Sequence, residues 1–209
     1  MGFFDNIFRK KEPAAERRLR HPQDLRKGDF VTFQFLPQQE VSGKTFEVSK
    51  VNTYTYDGVD YPEMILKNKE GDIIFMMVEE EDGEEYIGLS KKVPKTMIRD
   101  LIDQEMLDLI FARGTGVRVN LQSKPEELSA WLGDKYMETD EYLGHFSKGD
   151  ARAKEFGQDE RFRAYELHDH SDEFAIEIEV YGKEEVEMSL TVYHDINVIE
   201  EILPGSLEA

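Results

Sequence analysis

Residues 46–93 constrain the fold more than any other part of the chain. Apolar runs there alternate with three turn signals, Tyr56-Asp57-Gly58, Lys69-Glu70-Gly71-Asp72 and Glu81-Asp82-Gly83. Asp-Gly between apolar runs supplies the positive φ that tight hairpins need, so the stretch predicts an antiparallel β-meander. The run Ile73-Ile74-Phe75-Met76-Met77-Val78 is apolar on both phases of the pleat, which predicts a strand buried on both faces. Pro62 predicts a free edge near the start of the strand at 61–67, because proline donates nothing to a ladder. The preceding strand switches phase after Lys50, which predicts a bulge.

Composition narrows the function classes. The chain has 209 residues, enough for one large domain or two small ones. It has no cysteine, which removes disulfides, thiolate metal sites and a cysteine nucleophile and fits a reducing cytosol. The net charge of −19 repels phosphates and anionic lipid, so the body of the protein is not expected to bind nucleic acid. No apolar run approaches the roughly 20 residues of a membrane span. The expected location is the cytoplasm, with a peripheral contact at the inner membrane surface as a further reading.

That contact would come from the N-terminus. Residues 1–28 carry eight bases against four acids, about +4, which leaves about −23 for the remainder. Phe3, Phe4, Ile7 and Phe8 share one face of a helical wheel and are followed at once by Arg9, Lys10 and Lys11. Such a short amphipathic basic segment suits a membrane surface or a protein partner; it equally suits a helix packed on its own domain.

Further along, a strand is expected at 30–36. One helix is expected at 95–112, with Thr96 as N-cap and Ile98, Leu101, Ile102, Met106, Leu109 and Ile110 as its stripe. Val117, Val119 and Leu121 alternate as in a strand. Ser123 and Glu126 have capping-box spacing before a short helix carrying Leu128, Trp131 and Leu132. Residues 133–160 are polar and expected to be irregular in places. Two alternating runs, Phe174-Ile176-Ile178-Val180 and Val186-Met188-Leu190-Val192, predict a second hairpin. Residues 195–203 read as a short terminal helix. The expected class is α+β, dominated by antiparallel meanders or small barrel-like modules with packed short helices. Three segments follow: 1–24, 25–113 and 114–209. An internal repeat at an offset of 101 is one reading. It sets Phe75 on Ile176, Met77 on Ile178 and Leu89 on Leu190, and Lys27-Gly28-Asp29 recurs as Lys148-Gly149-Asp150.

Few residues gather in patterns that carry chemistry. His168 and His170 in His168-Asp169-His170-Ser171-Asp172, with His194, are candidate metal ligands, since imidazole and carboxylate suit zinc, nickel or manganese. Their spacing matches no established metal motif, and a polar hairpin loop accounts for them as well. Tyr54, Tyr56, Tyr61 and Trp131 could line a groove or form cross-strand pairs. The acidic run Glu79-Glu80-Glu81-Asp82-Gly83-Glu84-Glu85 lacks calcium-loop spacing, though a weak cation or polyamine site is one reading. No phosphate loop and no nucleophile with a base and an orienting partner is found. No catalytic residue and no cofactor is therefore assigned.

Leu25-x-x-Gly28-Asp29, Gly43-Lys44-Thr45-Phe46-Glu47-Val48, Tyr61-x-x-Met64-x-Leu66, the long apolar strand and Glu79-Glu80-Glu81-Asp82-Gly83 together resemble a family of uncharacterised bacterial β-rich domains over residues 25–93. The resemblance implies short barrel-like modules belonging to envelope-stress or polyamine-linked gene sets, with no established activity. The expected function is a non-catalytic, acidic interaction or regulatory module with a protein partner. The alternative is a metal- or cation-dependent enzyme or sensor built on His168, His170 and His194.

Overall fold

A computed structural model of the chain describes residues 17–205, apart from 82, 156, 158, 183 and 184. The expected N-terminal contact residues Phe3, Phe4, Ile7, Phe8, Arg9, Lys10 and Lys11 lie outside the described residues. Among the described residues eleven strands form: β1 (Phe30–Phe33), β2 (Thr45–Tyr56), β3 (Val59–Lys67), β4 (Ile73–Glu81), β5 (Glu84–Lys92), β6 (Arg118–Asn120), β7 (Lys135–Lys148), β8 (Asp159–Asp169), β9 (Phe174–Tyr181), β10 (Glu185–Asp195) and β11 (Ile199–Leu203). They make one antiparallel sheet in the order β11-β1-β2-β3-β4-β5-β10-β9-β8-β7-β6. A further pairing of β2 residues 52–55 with β7 residues 145–148 closes β2 to β5 and β7 to β10 into an eight-stranded ring. The β-dominated class is as expected. Strands from 25–113 and from 114–209 join in that one ring, through β5 with β10 and β2 with β7.

The two faces of the ring divide by chemistry. One face carries Asn52, Tyr54, Glu63, Tyr142, Phe162, Ala164, Glu177, Glu179 and Tyr193 at alternate positions. On it, groups from non-adjacent strands meet. The Tyr142 hydroxyl donates across β8 to Glu177 Oε1 at 2.7 Å, and Tyr193 donates across β9 to Glu166 Oε1 at 3.2 Å. Tyr54 packs edge-on to Phe162 across β7, 5.6 Å between ring centres. Glu63 and Glu179, four strands apart by either route round the ring, feel each other's charge. Side chains converge in this way only on the concave side of a closed sheet. This is the inner face, and it is polar and aromatic.

The large apolar core lies on the other face. Met64, Leu66, Ile74, Met76, Ile87, Leu89, Ile176, Ile178 and Leu190 are sealed there beneath a cap. The cap comprises residues of β1 with the segment that precedes it, helix α1 (Ile98–Leu101), helix α2 (Gln104–Arg113) and a 3-10 turn, Glu126–Trp131. Where the cap ends, on β7 and β8, outward residues reach solvent: Leu143 is 65% exposed.

Several local expectations hold. The bulge in β2 falls between Val48 and Lys50. The Pro62 edge is also present: β3 pairs with β4 only from Met64↔Met76 to Lys67↔Ile73, which leaves residues 59–63 free on that side. Others are corrected. The Ile73–Val78 run is not buried on both faces, because Ile73 is 48% exposed while Ile74 and Met76 are sealed. The single helix of 95–112 is broken. Ile102 is extended at φ −131°, and Asp103 caps α2 by accepting from Met106 N at 2.7 Å. Met97, not Thr96, precedes α1. Ser123 makes no capping box; its hydroxyl donates instead to the Asp100 carbonyl. Residues 135–148 form one strand of 14 residues rather than an irregular region. The expected terminal helix is a 3-10 turn, Ile196–Val198, followed by β11, which pairs with β1. At the offset of 101, strands β3-β4-β5 and β8-β9-β10 coincide in span within two residues. Yet Phe75 pairs with Ser90 on the inner face while Ile176 pairs with Leu190 on the outer one, so those two residues do not correspond.

Candidate functional site in the ring

The site is the mouth and interior of the ring. The mouth is a cleft of about 900 Å³ whose lining includes Glu79, Glu166, His168, Tyr193, His194 and Asp195. It opens where β4, β8 and β10 end and β5 and β9 begin. Deeper in, tyrosine and phenylalanine rings from β2, β7, β8 and β9 form a continuous wall. Tyr56 meets Tyr142 edge-on at 4.8 Å, and Phe162 lies 5.5 Å from Tyr181.

Two strand-interior glycines make room for this arrangement. A Cβ on Gly144 would stand 2.6 Å from Phe162 Cζ and 2.7 Å from Tyr56 Cε1. A Cβ on Gly88 would stand 2.9 Å from Glu79 Oε1 and 3.4 Å from Tyr193 Cε1. Gly144→Ala is expected to destabilise the fold by about 1–3 kcal/mol, read as a lower urea midpoint, because two packed rings must move. An unchanged midpoint would show that the ring wall is loosely packed.

The carboxylates are the unusual feature. Glu63 is 6% exposed and Glu179 is 3% exposed. Asn52 Nδ2 donates to Glu63 Oε2 at 2.9 Å. Removal from solvent pushes the Glu63 carboxyl up to about 7. Loss of solvent also raises Glu177, and the neighbouring Glu179 and Glu166 charges add to it. Glu179 is raised by burial as well, against the opposing influence of Lys92. Tyr181 donates to Glu179 Oε2 at 3.0 Å and the Tyr54 hydroxyl also favours the charged carboxylate, while among the described residues Glu179 Oε1 is buried with no hydrogen-bond partner. Lys92 itself is bonded to Glu187.

The candidate metal ligands fall near the mouth but are not equivalent. His168 Nε2 lies 2.9 Å from Glu166 Oε1, and its ring stacks on Tyr193 at 5.7 Å. The Glu166 bond holds His168 above the ordinary histidine range. His170 is exposed on the turn after β8, its Nδ1 3.7 Å from Asp169 Oδ2. His194 is on the opposite phase of β10 from Tyr193; burial lowers its pKa, and its Nε2 is buried without a partner among the described residues. Among the described residues no group of three or more histidine, aspartate or glutamate side chains is placed to hold a metal ion. Of the aromatic candidates, Tyr54 and Tyr56 line the ring and Tyr61 packs on Tyr56 at 5.6 Å. Trp131 is sealed in the outer core.

Sequence reasoning missed Glu63, Glu166, Glu177 and Glu179. The available signal was alternation: Glu177 and Glu179 sit between Ile176, Ile178 and Val180, as a water-facing row would. Only closure of the ring turns that row inward.

Residues 39–195 match the family described as Domain of unknown function (DUF4178). The chain belongs to this family. No curated protein and no solved structure matches it. The DUF4178 match takes in the whole ring, from β2 to β10, and so Glu63, Glu166, Glu177 and Glu179; β1 and β11 lie outside it. Among the described residues no helix is long and apolar enough to cross a membrane.

Proposed function

We propose that this DUF4178 chain is a non-catalytic binding module that takes a small ligand in the mouth and interior of its ring. The observation that carries the reading is the inner face itself. A small closed sheet normally fills its interior with aliphatic side chains, whereas here tyrosine hydroxyls and carboxylates converge beneath a cleft of about 900 Å³. Binding sites combine such concavity with a few convergent polar groups. A ligand-observed NMR screen of small cationic, neutral and anionic compounds tests it. Binders are expected that lose affinity in Tyr193→Ala and in Glu166→Gln. Binders indifferent to both variants, or none at all, would remove the reading.

A second reading, a metal- or cation-dependent enzyme or sensor, draws on His168 and His194 beside the same cleft and on the unpartnered His194 Nε2. The binding-module reading expects calorimetric titration with zinc, nickel or manganese to give no stoichiometric uptake. Uptake lost in both His168→Ala and His194→Ala would favour the sensor instead. The proposal extends to residues 2–11 as a contact for a protein partner or the inner membrane surface of the cytoplasm. Deleting them should release the chain into the soluble fraction, and an unchanged distribution would remove that part. The repeat, and the division into 25–113 and 114–209, remain proposals about how the ring arose.

A further inference from the structure

We infer that the interior of the ring is a site for a protonated amine, with its ammonium nitrogen on Glu179 Oε1 and its carbon chain against the tyrosine wall. This rests on the binding-module reading and names the chemical class of the ligand.

Three carboxylates of the inner face have no directly bonded cation among the described residues. Glu63 accepts from Asn52, Glu177 from Tyr142 and Glu179 Oε2 from Tyr181. All three donors are neutral. Lys92, which faces the same interior, is bonded to Glu187, and its charge reaches Glu63 and Glu179 without a direct bond to either. Among the described residues no lysine, arginine or histidine lies in ion-pair contact with Glu63, Glu177 or Glu179. A buried charge without a partner is unfavourable unless a proton or another cation neutralises it.

An independent observation places the missing donor. Glu179 is 3% exposed, and although the Tyr54 hydroxyl stands near the carboxyl, among the described residues its Oε1 has no hydrogen-bond partner. Buried acceptors are almost always satisfied, and this one is aimed into the ring. The surroundings choose the kind of donor. Tyr54, Tyr142 and Tyr181 present aromatic rings, whose faces attract organic cations and pack against methylene chains. An ammonium supplies up to three donors and tolerates such walls. A hard divalent ion requires several oxygen ligands at once, and the described acids form no such group. The cleft at the mouth, lined by Glu166 and Tyr193, lies at one end of this inner face, and residues 59–63 of β3 have no β4 partner beside Glu63.

The test is calorimetric and NMR titration of the full chain with n-butylammonium, n-butanol and butyrate, at constant ionic strength in potassium chloride. Wild type, Glu179→Gln and Tyr193→Ala are compared after thermal melts show that each folds. The inference expects n-butylammonium to bind at least tenfold more tightly than n-butanol or butyrate and to move the tyrosine ring signals. It expects at least a tenfold loss in Glu179→Gln. Affinity should rise from pH 5.5 to pH 8, as the carboxyls give up the protons that compete with the amine. If n-butanol binds as tightly, or Glu179→Gln changes nothing while Tyr193→Ala abolishes binding, the ammonium inference fails and the binding module stands. If potassium displaces n-butylammonium mole for mole, the site belongs to an inorganic ion and the inference fails. If none of the three probes binds, the inference also fails, and the wider screen of the cleft decides the binding module separately.

Discussion

Glu63→Gln should make the protein more stable at pH 7.5 and leave it nearly unchanged at pH 5. A carboxyl whose pKa is higher in the folded chain than in the unfolded one holds its proton more tightly when folded. Its destabilising influence is absent below the ordinary value of 4.5 and complete above about 7, so stability falls as pH rises through that window. A rise of that size corresponds to roughly 3 kcal/mol. Glutamine keeps an acceptor for Asn52 without carrying a charge. For a chain of this length the gain should appear as a melting temperature higher by on the order of 5–10 °C at pH 7.5. Glu177 and Glu179 have the same sign, and so does His168: its pKa is raised by the Glu166 bond, so its contribution is present at low pH and lost as pH rises above 6.5. His194, lowered by burial, works the other way as pH falls below 6.5, but the three carboxyls and His168 outweigh it, so in wild type the melting temperature should climb as pH falls from 7.5 towards 5. It should drop again below about pH 4, where Asp72, held low by hydrogen bonds from Asn68 and Lys44, becomes protonated. Thermal melts of both chains at four pH values check this. Equal destabilisation by Glu63→Gln at every pH would show that the carboxylate serves as a fixed structural acceptor.

Trp131→Ala should be the most damaging single truncation of the outer core, costing about 3–5 kcal/mol. Trp131 is fully buried at the end of the 3-10 turn that closes the cap. Lys91 Nζ stands 5.9 Å from the centre of its ring, and its Nε1 points to Glu40 Oε2 at 3.4 Å. Gln38 Nε2 donates to the Ala130 carbonyl at 2.6 Å, tying the same turn to the loop between β1 and β2. The indole therefore joins β5, the 38–41 loop and the turn. Because the aliphatic core lies outside the ring, loosening this cap uncovers Leu89 and Leu190 together. Chemical denaturation should give a midpoint far below wild type with the transition still cooperative. A loss under 1 kcal/mol would show that the cap is held mainly by other contacts.

What the sequence disclosed follows from which rules its residues obey. The β2–β5 meander was legible because two of its turns carry Asp-Gly and the third Glu-Gly, with apolar runs between them. The Ser49 bulge and the Pro62 edge were legible for similar local reasons. β7 was not. Its inner residues Tyr142, Gly144 and Phe146 alternate with Leu143 and His145, so neither face shows an aliphatic row, and a bulge between Glu138 and Asp140 shifts the phase. β11 was hidden because Ile199, Ile202 and Leu203 satisfy a helical stripe as well as a strand. The site was hidden for a deeper reason. Glu63, Glu177 and Glu179 occupy positions that a half-exposed strand gives to water, and nothing local reveals that β2 meets β7 to enclose them. The histidines drew attention by their spacing, yet they lie at the rim and on different faces. The acids and tyrosines within the ring have no motif at all.

Side-chain carboxyl NMR of selectively labelled glutamates, followed against pH with and without n-butylammonium, tests the central claim most directly. If the ring encloses unneutralised carboxylates that receive a ligand, Glu63 should titrate near 7 in the free protein. Glu177 and Glu179 should titrate above the ordinary glutamate range, and all three should move down when the amine is present. Titration of all three near 4.5, unmoved by the amine, would contradict the account. It would mean that the ring interior is open to water and serves as scaffold alone.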